Sequence, residues 1–179
     1  MIIGIDPGMH GAIAVRYKNG HVTIYDIPTC KDADGKSDID LNRLRLTLKT
    51  IHDGLPAGEP VTVVCEKSMG MSFHADQFRG ERHDDSKTAW KIGYNFGIIK
   101  AFFSLYLLPF TVTPRPSDWK RHMGLSDGNL TYDEKKNKAR MRAIELFPEH
   151  QESLKRKKDA DRAEALLLTV WAERRLNAR

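Results

Sequence analysis

The chain has 179 residues, with 29 lysines and arginines against 24 aspartates and glutamates, a formal net charge of +5. At 40% apolar and 30% charged residues it reads as an ordinary soluble chain, one domain over 1–179 with room for its own core; no apolar run nears the roughly 20 residues of a membrane span, and no basic leader before an apolar stretch marks a secretory signal. Cys30 and Cys65 lack the spacing of a zinc site or a disulfide framework, which suits a reducing, cytoplasmic setting.

In chain order, Ile2, Ile3 and Ile5 form a short β-branched run, the mark of a buried strand, and Pro7-Gly8 ends it. Asp6 then stands at the last strand position, where a carboxylate needs a metal ion or backbone amides to balance it; capping the turn is the plainer alternative. Gly11 to Val15 and His21 to Ile27 read as two more strands, with Asn19-Gly20 as the hairpin signal between them. Pro28 to Asp38 is polar and turn-rich and reads as a surface loop. Ser37 or Asp38 can cap a helix running to about His52, with Leu41, Leu44, Leu48 and Ile51 at helical spacing. Val61 to Cys65 reads as a fourth strand, and Glu66 follows at its end, repeating the arrangement at Asp6. If the two strands are parallel neighbours joined through the helix, both acids emerge at the carboxyl edge of the sheet, where ligands gather in open α/β folds.

Ser68 to Lys87 mixes Met69, Met71 and Phe73 with Arg79 and Arg82 without a clear period. It reads either as a plain insertion or as a loop whose apolar residues enter between unstacked bases. Thr88 to Leu107 reads as a long helix, apolar on more than one side through Trp90, Ile92, Tyr94, Phe96, Ile98, Ile99 and Phe102, so it needs a second cover beside the sheet. Gly93 and Gly97 either permit a close approach there or serve simple helix–sheet packing. Phe110 to Thr113 reads as a fifth strand. A short helix follows from Pro114, with Ser117 as cap and Lys120 and Arg121 at its end. Thr131 to Glu134 is a capping box opening a basic helix with Lys135, Lys136, Lys138, Arg140 and Arg142, which ends at Phe147-Pro148. Such a helix either lies on phosphates or presents a solvated face. The last helix begins near Asp159 and runs to about Arg175, with Asp161 and Glu164 on one face; acids there also complement the helix dipole. Residues 115–179 hold 16 basic and 11 acidic side chains against 13 and 13 in residues 1–114, so the positive surplus lies in the last third, as expected of a region that meets a polyanion.

Asp6, Glu66, Asp161 and Glu164 are four carboxylates that crowd together only if cations neutralise them. Oxygen ligands select Mg²⁺ or Mn²⁺, and two such ions about 4 Å apart activate a water and stabilise the leaving oxygen of a phosphodiester. The chain carries no P-loop motif and no His/Cys ligand cluster.

The motifs IGIDPG at 3–8, VVCEK at 63–67 and DADRAEALLL at 159–168 resemble those of RuvC-type Holliday junction resolvases of the ribonuclease H-like superfamily, above all the RuvC-like proteins of bacteriophages and prophages. The resemblance covers nearly the whole chain. It implies an α/β ribonuclease H-like fold, a five-stranded mixed sheet of three antiparallel then two parallel strands with helices on both faces. It implies a metal-dependent endonuclease that cuts four-way DNA junctions in pairs, with two Mg²⁺ or Mn²⁺ ions held by Asp6, Glu66, Asp161 and Glu164. Glu164 stands where the family usually has Asp, and Asp159 competes with Asp161 for the third place; the face shared with Glu164 favours Asp161. Lys120, and Lys135 or Lys136, match the family's phosphate-contacting lysines, and Phe73 substitutes for its base-inserting aromatic. The implied partners are branched DNA and a second copy of the chain, with no membrane and no small-molecule substrate. The alternatives are a nuclease of the same fold acting on other branched DNA or structured RNA, or a non-catalytic junction-binding protein; an actin-like ATPase needs a second similar domain, for which 179 residues leave no room.

Overall fold

The computed structural model describes residues 1–67, 86–126 and 129–178. Strands β1 (Ile2–Asp6), β2 (Ala12–Arg16) and β3 (Val22–Asp26) form an antiparallel meander, as their β-branched content and turn residues require. A hairpin of β4 (Thr29–Lys31) and β5 (Ser37–Ile39) follows, where the sequence reading expects only a loop. It forms without an apolar pattern because Asp32 accepts from the backbone N–H groups of Asp34 and Lys36 at 3.0 and 2.7 Å, an Asx turn that closes it locally. Helix α1 (Leu41–Asp53) is capped by Asp40, which accepts from Arg43 N, and crosses over to β6 (Thr62–Cys65). β6 runs parallel to β1, with Ile2 opposite Thr62 and Ile5 opposite Cys65.

The sheet order is β3-β2-β1-β6, four strands among the described residues rather than five. The segment 110–113 does lie beside β6, with Thr111 N and Val112 N donating to Val63 O. It forms a single parallel bridge, Val64 with Val112. Pro109 and Pro114 bound it, and prolines have no N–H to extend the pairing.

Helix α2 (Ser86–Leu105) packs with α1 on one face of the sheet through Ile99 and Phe103, against Ile3, Ile5, Leu44 and Leu48. The other face carries α3 (Pro116–His122), α4 (Tyr132–Leu146) and α5 (Ala160–Asn177) around Trp119, Ala143 and Leu166. α3 starts on Pro116 with no side-chain cap. Ser117, the cap expected from sequence, instead meets Asp118 at 3.5 Å, because a proline at the first helical position already fixes the entry. The capping box of α4 is formed: Thr131 N donates to Glu134 Oε2 at 2.8 Å and Glu134 N to Thr131 Oγ1 at 3.4 Å.

The pleat decides which side each residue serves. Ile3, Ile5, Val63 and Cys65 face α1 and α2, so the alternate positions Gly4, Asp6, Val64 and Glu66 turn toward α5. Gly4 is where α5 comes closest: a Cβ built there would lie 2.3 Å from Ala165 O and 2.9 Å from Thr169 Cγ2. Its missing side chain lets α5 lie directly on β1 and brings the first turn of α5 to the carboxyl edge of the strand. We expect Gly4→Ala to destabilise the chain by about 2–3 kcal/mol, the cost of overpacking a filled contact; chemical denaturation checks this, and an unchanged midpoint would show that α5 has slack over β1.

Candidate active site

Asp6 ends β1, and Glu66 follows β6 directly beside it, its N–H donating to Ile5 O at 3.0 Å. Asp161 and Glu164 lie in the first two turns of α5, above the same edge. The structure thus brings together all four acids singled out in the sequence: Glu164, Asp161 and Glu66 each raise the pKa of Asp6. Asp159 does not join them. It is buried, accepts from Arg156 N at 2.9 Å and from the Arg156 guanidinium at 2.8 to 3.2 Å, and lies 3.6 Å from Arg162. Burial would raise its pKa, and the Arg156 contacts outweigh that and lower it. Its work is to fix the chain where α5 begins.

Two ammonium groups stand among the four carboxylates. Lys120 Nζ donates to Glu164 Oε2 at 3.0 Å and lies 3.7 Å from Glu66 Oε2. Lys136 Nζ donates to Asp161 Oδ1 at 2.7 Å and lies 3.1 Å from Glu164 Oε1. Between Lys135 and Lys136, which the sequence leaves open, it is Lys136 that enters the cluster. Lys135 is exposed on α4 and lines an adjoining cavity of about 350 Å³ with Lys120 and Tyr132. Phe73 lies outside the described residues.

The charges are unevenly shared. Burial alone would raise the pKa of Glu164, but Lys120 and Lys136 outweigh it and hold that carboxyl below its usual value. Burial likewise raises Glu66 above its usual value, only partly offset by Lys120. Asp6 is 8% exposed and, among the described residues, accepts one hydrogen bond, from Gly8 N at 3.1 Å. Burial first, then Glu164, push its pKa to about 8, against a lesser pull from Lys136. Burial would lower Lys136, yet Glu164, Asp6 and Asp161 together push it above an ordinary lysine.

Sequence reading missed one supporting residue. Trp119 of α3 is fully buried, and its Nε1–H donates to Glu66 Oε2 at 2.5 Å, which fixes the rotamer of that carboxylate. The available signal was physical: a buried indole N–H needs an acceptor, and an acid beside it at a strand end is one.

Could these residues hold a divalent cation? Among the described residues no three carboxylate, imidazole or thiol side chains converge closely enough to ligate one ion as they stand, with Lys120 and Lys136 bridging them instead. The donor chemistry nevertheless fits. Every ligand atom on offer is a hard carboxylate oxygen, and among the described residues no positive group is bonded to Asp6. Asp6, Glu66, Asp161 and Glu164 are the residues that would bind such an ion once the ammonium groups yield.

No family profile matches the chain, and no curated protein matches it. Solved structures do. Among them is RuvC of T. thermophilus in complex with a Holliday junction substrate, 12% identical, with a TM-score of 0.54 over 99% of this chain and 95% of that one. A second structure of Thermus thermophilus RuvC is 16% identical, with a TM-score of 0.48 over 97% of this chain and 95% of that one. At such identities the first likeness speaks for architecture: the chain has a RuvC-like, ribonuclease H-like fold.

Proposed function

We propose that this chain is a metal-dependent endonuclease that resolves four-way DNA junctions, as the motifs shared with phage and prophage RuvC-like proteins suggest. One observation carries the reading: carboxylates from β1, β6 and α5 gather at one sheet edge, with two lysines between them, in the fold that RuvC adopts. A pair of Mg²⁺ or Mn²⁺ ions bound there would supply the activated water and charge neutralisation that phosphodiester hydrolysis needs.

The chain's own groups do the rest. Asp6 and Glu66 hold the near side of the site from the sheet, and Trp119 keeps Glu66 aimed. Glu164 and Asp161 hold the far side from α5. Lys120 and Lys136 sit on long flexible stems; released from the carboxylates, their ammonium groups reach phosphate oxygens and balance developing negative charge. Lys135, which makes no ion pair among the described residues, adds a cation at the rim.

Two cuts in a four-way junction call for two sites, and α2 offers the surface for pairing. Its outer face, opposite Ile99 and Phe103, exposes Trp90, Tyr94, Ala101 and Leu105. Among the described residues nothing lies within 4 Å of a Cβ placed on Gly93 or Gly97, so against the described sheet these glycines do not serve helix–sheet packing. They leave room for a second backbone, which suits a two-fold homodimer. Light scattering should give twice the monomer mass for the wild type and the monomer mass for Gly97→Arg; a wild-type monomer at micromolar concentration would remove the dimer.

Cleavage of a labelled four-way junction in Mg²⁺ or Mn²⁺ should give symmetric nicks. Asp6→Asn should abolish them while junction affinity stays within about threefold, because only chemistry-specific binding is lost. Equal cutting by that variant rejects the assignment. Parallel duplex, flap and RNA-hybrid substrates show whether the junction is preferred.

Asp6 also links the site to stability. Its folded pKa of about 8 lies above the ordinary 3.8, so between those values the folded chain holds a proton that the unfolded chain has released. Stability from this group is therefore full at low pH and is lost as pH rises through about 8. In EDTA the melting temperature should fall from about pH 5.5 to pH 8.5, a range in which Glu164, its pKa lowered, stays ionised in both states. Asp6→Asn should remove most of that slope, and so should millimolar Mg²⁺. A slope unchanged by either would mean that Asp6 is not the group holding the proton.

A further inference from the structure

Asn95 lies on α2, one turn ahead of Ile99 and two ahead of Phe103, on the stripe that packs against the sheet. It is 4% exposed, and among the described residues its Oδ1 is the buried side-chain oxygen or nitrogen that finds no hydrogen-bond partner. A leucine would continue the stripe without leaving an acceptor unmet. Asn95 also lines a cleft of about 480 Å³ that reaches over the strand ends to Asp6 and Glu66. The donor nearest along α2 is committed elsewhere: Lys91 Nζ donates to Ser37 O at 2.7 Å.

The walls of this cleft say what kind of group meets the orphan oxygen. Met9, Ile92, Pro116 and Tyr132 supply apolar surface, with Lys67, Thr88 and Lys91 among them. The carboxylates face α5, on the other side of the sheet from the α2 stripe. The apolar part of the wall suits the face of a base, Lys67 suits the phosphate that joins it to the next nucleotide, and an amide oxygen suits the N–H edge of the base. We propose that the Asn95 side of this cleft is a pocket for one unpaired nucleobase bearing an exocyclic amino group, with the Asn95 carboxamide oxygen accepting from that amine. The proposal rests on the nucleic-acid reading above and adds a site to it. Adenine, cytosine and guanine carry such an amine; thymine does not.

The test uses the full chain in EDTA, with fluorescently labelled dA, dC and dT 12-mers and polarisation as the readout. Asn95→Leu should melt a few degrees higher than wild type, since an unmet acceptor is replaced by core. It should bind the dA and dC oligomers about tenfold more weakly, the worth of one good base contact, and dT within about twofold of wild type. Equal losses on all three oligomers would show that Asn95 only shapes the cleft and would overturn the proposal, as would no loss on any. Should Asn95→Leu not fold, Asn95→Ala makes the same comparison. If wild type binds none of the oligomers and no junction, the nucleic-acid reading fails and takes this one with it. If wild type binds and Asn95→Leu binds identically, only the base pocket is lost.

Discussion

Negative charge in excess of what the chain can neutralise is the constraint that organises this molecule. Four carboxylates share one sheet edge, and two ammonium groups reach them. Glu164 takes hydrogen bonds or ion pairs from both lysines and is held ionised. Asp6 is bonded to neither and keeps its proton near neutrality. Low dielectric strengthens both effects, since a buried pair attracts and a buried lone charge repels more than either would in water. Well-packed apolar side chains at the same positions would make a more stable protein. A cluster that is neither apolar nor balanced, at the edge where open sheets bind ligands, therefore points to chemistry rather than to folding.

The backbone makes that crowding possible at two places. Alternation along β1 turns Asp6 to the α5 side only because Ile3 and Ile5 are committed to the other core. The bare Cα of Gly4 then lets α5 settle close enough for its first turns to stand over the strand end. Gly11 works in the same service, since a Cβ there would lie 2.0 Å from Asp6 O, and the turn after β1 can double back without displacing the acid. The Arg156–Asp159 contacts fix where α5 begins, so the position of Glu164 is set from both ends of the approach.

Much of this was legible in the residues, for identifiable reasons. Asp6 and Glu66 announce themselves because each follows a β-branched run, and strand ends are readable from composition. Asp161 and Glu164 follow from helical spacing. That Asp161 rather than Asp159 lies with the other acids was legible for the same reason, whereas which of Lys135 and Lys136 reaches them depends on the roll of α4 against α5, which no local pattern encodes. The β4–β5 hairpin escaped because it is held by Asp32 and backbone groups rather than by apolar alternation. The segment 110–113 has strand composition and lies where a fifth strand would, yet prolines at both ends restrict it to one bridge. Trp119 was hidden by its own type: an indole reads as core, and here it is core as well as the partner of Glu66.

The basic surplus of the last third looks different once its partners are known. Arg162 is tied to Asp26, and the short contact between them holds α5 to the end of β3; Arg140 donates to the carbonyls of Leu154 and Lys155. These are part of the fold. Lys157–Asp133 and Lys155–Glu152 join exposed side chains, and such pairs contribute at most about 1 kcal/mol, little enough for a phosphate to displace the acid. Arg115, Arg121, Lys135 and Lys158 make no ion pair among the described residues. A nucleic acid approaching this face meets a few free cations and a set of exchangeable ones, rather than the whole formal charge. The affinity of any polyanion for this face would then owe less to counterion release than the formal charge of the last third suggests.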